Sequence, residues 1–72
     1  MDGQETGTVK WFDAQKGFGF IERDEGRGDI FVHATAMEDN FAEPLRDGER
    51  VSFEIGPGRK GPAAQNVRRI AS

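Results

Sequence analysis

The sequence predicts an all-β fold, a small closed or nearly closed barrel of five short strands. The chain has 72 residues, which fits one small domain. Its apolar runs are short and are separated by Gly, Pro and Asp, a pattern typical of strands and turns. No long window shows the periodicity of an amphipathic helix. Closure into a barrel would protect the edges that a flat sheet of this size exposes.

The strands are expected in chain order at residues 8–13, 17–23, 29–33, 50–55 and 63–70. A hairpin loop at 24–28 joins the second and third strands, because this segment is polar and rich in glycine. Residues 34–49 form a long connection, with one helical turn expected at 34–37. Residues 56–62 contain three glycines and two prolines, and they predict a turn-rich loop before the fifth strand.

Alternation of apolar side chains defines the predicted core. In the fourth strand, Val51, Phe53 and Ile55 fall on one face because successive side chains point to opposite sides. The predicted core residues are Val9, Ile21, Ile30, Val32, Leu45, Val51, Phe53, Ile55, Val67 and Ile70. In the second and third strands the predicted core residues Ile21, Ile30 and Val32 occupy the inner face, so the alternating side chains lie on the outer face.

The outer face of the second and third strands is predicted to be aromatic. Phe18 and Phe20 lie two residues apart in the segment KGFGFI and share the face opposite Ile21. Phe31 and His33 alternate with aliphatic residues in the same way in the third strand. If the two strands pair as a hairpin, these four side chains share one surface. Exposed rings next to a lysine favour stacking with nucleobases.

The first strand supplies further candidates for contact with nucleic acid. Trp11 and Phe12 could flank the aromatic face, with Lys10 and Lys16 placed to neutralise phosphates. Strict alternation separates Trp11 from Lys10 and Phe12, so a bulge or a strong curl is needed to bring all of them to one surface. For Phe12, a place in the core is the competing interpretation.

The charge balance argues against a nucleic-acid ligand at first sight. The formal net charge is −3 at pH 7, whereas proteins that bind nucleic acid usually carry a basic surplus. The charges are segregated, however, since residues 55–72 contain basic side chains and no acidic one. Arg59 and Lys60 are therefore candidates for phosphate contacts, with solvated loop charges as the alternative. A local positive surface is compatible with an acidic total.

The composition gives no support to an enzyme, a metal site or a cofactor. The chain has no cysteine and one histidine, and no Ser/His/Asp set is suggested by the spacing. Glu22 stands where the third glycine of a dinucleotide-binding fingerprint would be. No apolar run approaches the length of a membrane span, and the N-terminus has no signal-peptide pattern. We expect a cytoplasmic, monomeric protein.

Four motifs resemble the bacterial cold-shock proteins: GTVKWF at 7–12, KGFGFI at 16–21, DIFVH at 29–33 and GPAAQNV at 61–67. The resemblance implies one cold-shock domain over residues 5–70, after a flexible tail at 1–4. It implies a five-stranded antiparallel OB-fold barrel and a bulge at Trp11. Nucleic-acid contact is implied for Lys10, Trp11, Phe12, Lys16, Phe18, Phe20, Phe31 and His33.

The function implied by this resemblance is binding of single-stranded RNA and DNA, often pyrimidine-rich. Members of the family act as RNA chaperones that keep transcripts unpaired, and some regulate transcription or translation under cold or other stress. Two positions depart from the family pattern. Ala34 stands where an aromatic residue is common, and Phe41 falls one position early in the long loop. Phe41 remains a further candidate contact, and we expect weaker or more salt-sensitive binding than is usual.

Two other interpretations share parts of this pattern. An OB-fold module that binds proteins is compatible with an aromatic patch on an acidic chain. The substitutions Phe18→Ala and Phe31→Ala distinguish it, because they should abolish oligonucleotide binding only if bases stack there.

An RRM domain has a similar phenylalanine-rich motif. It also needs two packed helices, and this chain has no amphipathic stretch to supply them.

Overall fold

The computed structural model describes residues 4–37, 45–58 and 61–70, and these residues form the predicted five-stranded barrel. The strands are β1 (Gln4–Asp13), β2 (Phe18–Arg23), β3 (Asp29–His33), β4 (Arg50–Pro57) and β5 (Pro62–Arg69). A turn with left-handed backbone at Glu25 and Gly26 occupies the predicted hairpin loop, at Asp24–Gly26. A single turn of 3-10 helix occupies Ala34–Ala36, at the predicted helical turn. The described part of the chain has no helix long and apolar enough to cross a lipid bilayer.

The barrel closes in the order β1-β2-β3-β5-β4. The pairs β1–β2, β1–β4, β2–β3 and β4–β5 are antiparallel. β3 and β5 meet in parallel where Phe31 pairs with Ala63, and this contact closes the barrel. The all-β OB-fold prediction is confirmed, with this parallel contact as a feature that alternation could not reveal.

The core lies inside the barrel. Most of the predicted core residues are buried, namely Val9, Ile21, Ile30, Val32, Leu45, Val51, Phe53 and Val67, and Ala64 joins them although it was not predicted. The prediction is wrong for Ile55 and Ile70, each of which is 37% exposed. Ile55 lies near the end of β4, two residues before Pro57, and Ile70 follows the last residue of β5. Alternation identifies the face of a strand, but it does not show which positions near the end of a strand lie outside the core.

A charged cluster joins β1, the turn at Asp24–Gly26 and β4. Arg50 donates two hydrogen bonds to the carboxylate of Asp24, at 2.8 and 2.9 Å, and a third to the hydroxyl of Thr8 at 3.0 Å. The hydroxyl of Thr6 also donates to Asp24. These bonds, the Arg50 pair first, hold the pKa of the Asp24 carboxyl well below its ordinary value. The cluster therefore ties three segments of the barrel together through one ionised carboxylate.

Candidate nucleic-acid interface

A β-bulge in β1 sets the orientation of Trp11. Val9 pairs with Ile21 of β2, but the next described pair joins Trp11 to Phe20. Two steps along β1 thus correspond to one step along β2, and Lys10 is the extra residue. The bulge brings Trp11 opposite Phe20, on the outer face of the barrel, and confirms the bulge implied by the family resemblance.

Four rings form a continuous aromatic surface on the outer face of β1, β2 and β3. This aromatic surface consists of Trp11, Phe18, Phe20 and Phe31. The ring of Trp11 lies 5.9 Å from Phe18 and 5.4 Å from Phe20, measured between centroids. Phe31 lies 5.7 Å from Phe18 in a stacked arrangement and 5.9 Å from Phe20 in an edge-to-face arrangement. Each ring thus contacts two others, in a closed circuit.

The aromatic surface remains open to solvent. Trp11 is 38% exposed, and Phe18, Phe20 and Phe31 are half-buried. Their outward orientation agrees with the alternation that places Ile21 and Val32 inside. Contacts at these centroid distances favour fixed ring orientations. A flat ligand would therefore meet rings that are already arranged, which reduces the entropy lost on binding.

Phe12 is not part of the aromatic surface. Its side chain is partly buried and packs against the core. The bulge places Phe12 opposite Gly19, where a Cβ atom would lie 2.7 Å from Phe12 Cα and 3.0 Å from Phe12 Cδ1. The two strands approach so closely here that glycine is needed in β2. Contact of Phe12 with nucleic acid stays a prediction, but the structure supports the competing place in the core.

His33 stands beside the aromatic surface and is held by a residue that was not predicted. It pairs with Phe18 across the β2–β3 ladder, and its side chain is exposed. Thr35 donates its backbone N–H to Nδ1 of His33 at 3.2 Å, and the Thr35 hydroxyl lies 2.9 Å from the same nitrogen. The signal that could have revealed this is the position of His33 directly before a short turn, since a side-chain acceptor at such an N-cap can accept from the backbone N–H two residues later.

An open groove extends from the aromatic surface towards β5. Residues 35–37 line it, together with Gly58 and residues 61–66. Two side chains on β5 are fixed by hydrogen bonds to β4: Gln65 donates to the carbonyl of Pro57 at 3.1 Å, and Asn66 donates to Glu54 at 2.8 Å. In the sequence, the motif at 61–67 indicated only that this segment resembles the cold-shock proteins, and no functional role was predicted for its residues. The candidate interface is therefore wider than the predicted set.

The two predicted lysines differ in their surroundings. Lys10 forms an ion pair with Asp29 at 2.9 Å, and the hydrogen bond to that carboxylate raises the pKa of Lys10. Lys16 is exposed, and across the described ranges its ammonium has no ion pair. Asp13 shapes the turn around it, because its carboxylate accepts hydrogen bonds from the backbone N–H of Gln15 and Lys16 at 3.0 and 3.1 Å.

Three candidate residues lie outside the described residues, namely Phe41, Arg59 and Lys60. Their contacts with nucleic acid stay predictions. Ala34, the first departure from the family pattern, is exposed, and its backbone N–H donates to the carbonyl of Gly17 at 2.8 Å. Among residues 4–37, 45–58 and 61–70, no group of three or more His, Cys, Asp or Glu residues is arranged to hold a metal ion.

Comparisons with known proteins agree with this geometry. The family model of the 'Cold-shock' DNA-binding domain matches residues 5–70. Cold shock-like protein CspG of Escherichia coli K12 is 51% identical over 67 residues, which cover 93% of this chain and 96% of that protein. A cold shock-like protein of Thermotoga maritima is 53% identical over 62 residues, which cover 86% of this chain and 92% of that protein.

One solved structure shows the same fold in a much longer chain. The Drosophila Unr chain described as CSD456 superposes with a TM-score of 0.77 at 22% identity. The match covers 94% of this chain and 27% of that chain. At this identity the likeness concerns the arrangement of the barrel alone.

Proposed function

The chain belongs to the 'Cold-shock' DNA-binding domain family, and from this we propose that it binds single-stranded RNA and DNA by stacking bases on the aromatic surface. The observation that carries the proposal is the closed circuit of four solvent-accessible rings, with centroids 5.4 to 5.9 Å apart. Every base has a π-face, and each stacked base contributes about 1–3 kcal/mol. Lys16 lies in the turn before Phe18, where it can neutralise a phosphate.

The same surface supports the action of an RNA chaperone. A strand whose bases are stacked on Trp11 and Phe31 is withdrawn from competing hairpins by mass action, because only the unpaired form binds. This needs no ATP and works stoichiometrically. The family resemblance supports a preference for pyrimidine-rich strands. We also propose that the protein acts as a monomer in the cytoplasm.

Fluorescence of Trp11, the single tryptophan, tests the binding proposal directly. Oligothymidine at low salt should quench it. Phe18→Ala and Phe31→Ala should each weaken binding by about 5- to 150-fold, which corresponds to one lost stacking contact. Ile70→Ala is the matched control, since it removes an exposed apolar side chain that is not part of the aromatic surface, and it should change binding less than about twofold.

Two results would contradict the binding proposal. One is the absence of quenching in the unsubstituted protein. The other is normal oligonucleotide binding by the Phe18→Ala and Phe31→Ala variants, which would favour a protein-binding module if the same variants lost a protein partner. For the chaperone step, an RNA hairpin labelled with a fluorophore and a quencher should open in proportion to added protein. A hairpin that stays closed at saturating protein would refute that step alone.

A further inference from the structure

We propose that Thr35 is a positioning residue for nucleic-acid binding, because it fixes the imidazole of His33 so that its Nε2–H faces the bound strand. The inference rests on the proposed function, since it concerns the same interface. Thr35 lies outside the four sequence motifs.

The hydrogen bonds at Nδ1 determine which nitrogen of His33 carries the proton. The backbone N–H of Thr35 can only donate, so Nδ1, at 3.2 Å, must accept. With Nδ1 unprotonated, the hydroxyl of Thr35, at 2.9 Å from the same nitrogen, can act only as a donor to it, and it shares the single lone pair of Nδ1 with the backbone N–H. A neutral imidazole with an accepting Nδ1 carries its proton on Nε2. Turning the ring over would break both contacts, so Thr35 fixes the tautomer and the orientation together.

The position of the ring connects this contact to the ligand. His33 lies opposite Phe18 in the β2–β3 ladder, and both side chains line the groove together with Thr35. With Nδ1 occupied by Thr35, the donor left for a ligand is Nε2–H. The matching group is an acceptor oxygen of the bound strand, which a pyrimidine carbonyl or a phosphate can supply. A fixed donor loses little conformational freedom on binding, which strengthens the contact.

Imidazole ¹⁵N spectra of the free protein test the first half of the proposal. At alkaline pH, where histidine is neutral, the chain's single histidine should show an unprotonated Nδ1 and a protonated Nε2. Thr35→Val keeps the branched shape and the backbone N–H but removes the hydroxyl, one of the two donors to Nδ1. It should therefore shift the Nδ1 resonance and increase the share of the other tautomer, without abolishing the original one. Thr35→Ser should restore the original spectrum. A proton on Nδ1 in the unsubstituted protein, or an unchanged spectrum in Thr35→Val, would overturn the proposal.

Oligothymidine titrations test the second half. Thr35→Val should weaken binding by about 2- to 10-fold, the equivalent of one hydrogen bond, and Thr35→Ser should stay within about twofold of the unsubstituted protein. If Thr35 acts through His33, the valine substitution should cause no further loss in a His33→Ala background. Equal losses in both backgrounds would overturn the role, because Thr35 would then act independently of the imidazole.

Two further comparisons identify the acceptor on the bound strand and distinguish failure of this proposal from failure of the proposed function. Oligomers in which difluorotoluene replaces thymine identify the acceptor, because this analogue keeps the shape of the base but has no carbonyl oxygen. An effect of Thr35→Val that is lost on these oligomers assigns the acceptor to a base carbonyl, and a persistent effect assigns it to a phosphate. If the unsubstituted protein does not bind oligothymidine at all, the proposed function fails, while the ¹⁵N spectra still decide whether Thr35 fixes the ring.

Discussion

At the scale of single residues, Gly19 links the barrel to the aromatic surface. A Cβ atom on Gly19 would meet the carbonyl oxygen of Trp11 and lie 2.7 Å from Phe12 Cα. Both atoms belong to the backbone of β1 next to the bulge, so they cannot rotate away as a side chain could. Gly19→Ala should therefore lower the free energy of unfolding by about 1–3 kcal/mol, and urea titration followed by Trp11 fluorescence measures this.

The control for this prediction is Gly26→Asn. Gly26 has a φ of 68°, which asparagine tolerates, and a Cβ atom there would have no neighbour within 4 Å among the described residues. We expect the free energy of unfolding of this variant to lie within about 0.5 kcal/mol of that of the unsubstituted protein. A Gly19→Ala variant that is as stable as Gly26→Asn would show that β1 can move away from β2 without cost.

At the scale of elements, the sequence predicted what depends on alternation within one strand. The outward Phe18 and Phe31 and the buried Ile21 follow from a period of two residues, and the structure agrees. Trp11 does not follow from that period alone, because an extra residue in β1 changes which side chains share a face. Ile55 shows the same limit, since alternation does not reveal that this position near the end of β4 lies outside the core.

Contacts between different elements are harder to predict from the sequence than the face of a single strand. Thr35 reaches His33 only because a 3-10 turn follows β3, and Asn66 lies over β4 with a φ of 51° that favours asparagine. Neither position carries an apolar pattern that would mark it. The aromatic half of the candidate interface was therefore predictable from strand periodicity, whereas the half contributed by the turn and by β5 depends on the tertiary pairing of β3 with β5.

The Asp24 cluster predicts how stability depends on pH. Because its bonds with Arg50 and Thr6 lower the pKa of Asp24 in the folded state, the unfolded chain takes up the proton more readily. The stabilisation is thus present above the pKa of an unfolded aspartate, about 3.9, and is lost as the pH falls below it. Asp24→Asn should reduce stability at pH 7 and flatten the loss between about pH 5 and pH 2, measured by urea unfolding.

Asp47→Asn provides the comparison for the pH experiment. Asp47 is exposed, and within the described ranges its side chain has no hydrogen bond or ion pair. This variant should keep the acid dependence of the unsubstituted protein. If Asp24→Asn lost as much stability on acidification as Asp47→Asn, the cluster would not be the origin of the acid sensitivity.

At the scale of the whole molecule, the net charge of −3 opposes the approach of a polyanion, so the placement of individual cations decides how binding responds to salt. Each phosphate neutralised on a single strand contributes a slope of about −0.7 to log K against log salt. Lys16→Gln should therefore reduce the slope by about 0.7. Lys10→Gln should reduce it by less, because Asp29 already neutralises this ammonium in the free protein.

The ion pair between Lys10 and Asp29 allows the effect of Asp29 on binding to be separated from the effect of the overall charge. Asp29→Asn and Asp47→Asn each remove one negative charge, but only the first releases Lys10 from its 2.9 Å ion pair. We expect Asp29→Asn to strengthen oligothymidine binding at low salt and to steepen the salt dependence, while Asp47→Asn changes both much less. Trp11 quenching at several salt concentrations measures the two effects. Equal gains in the two variants would show that the total charge of the molecule, and not competition for Lys10, limits the affinity.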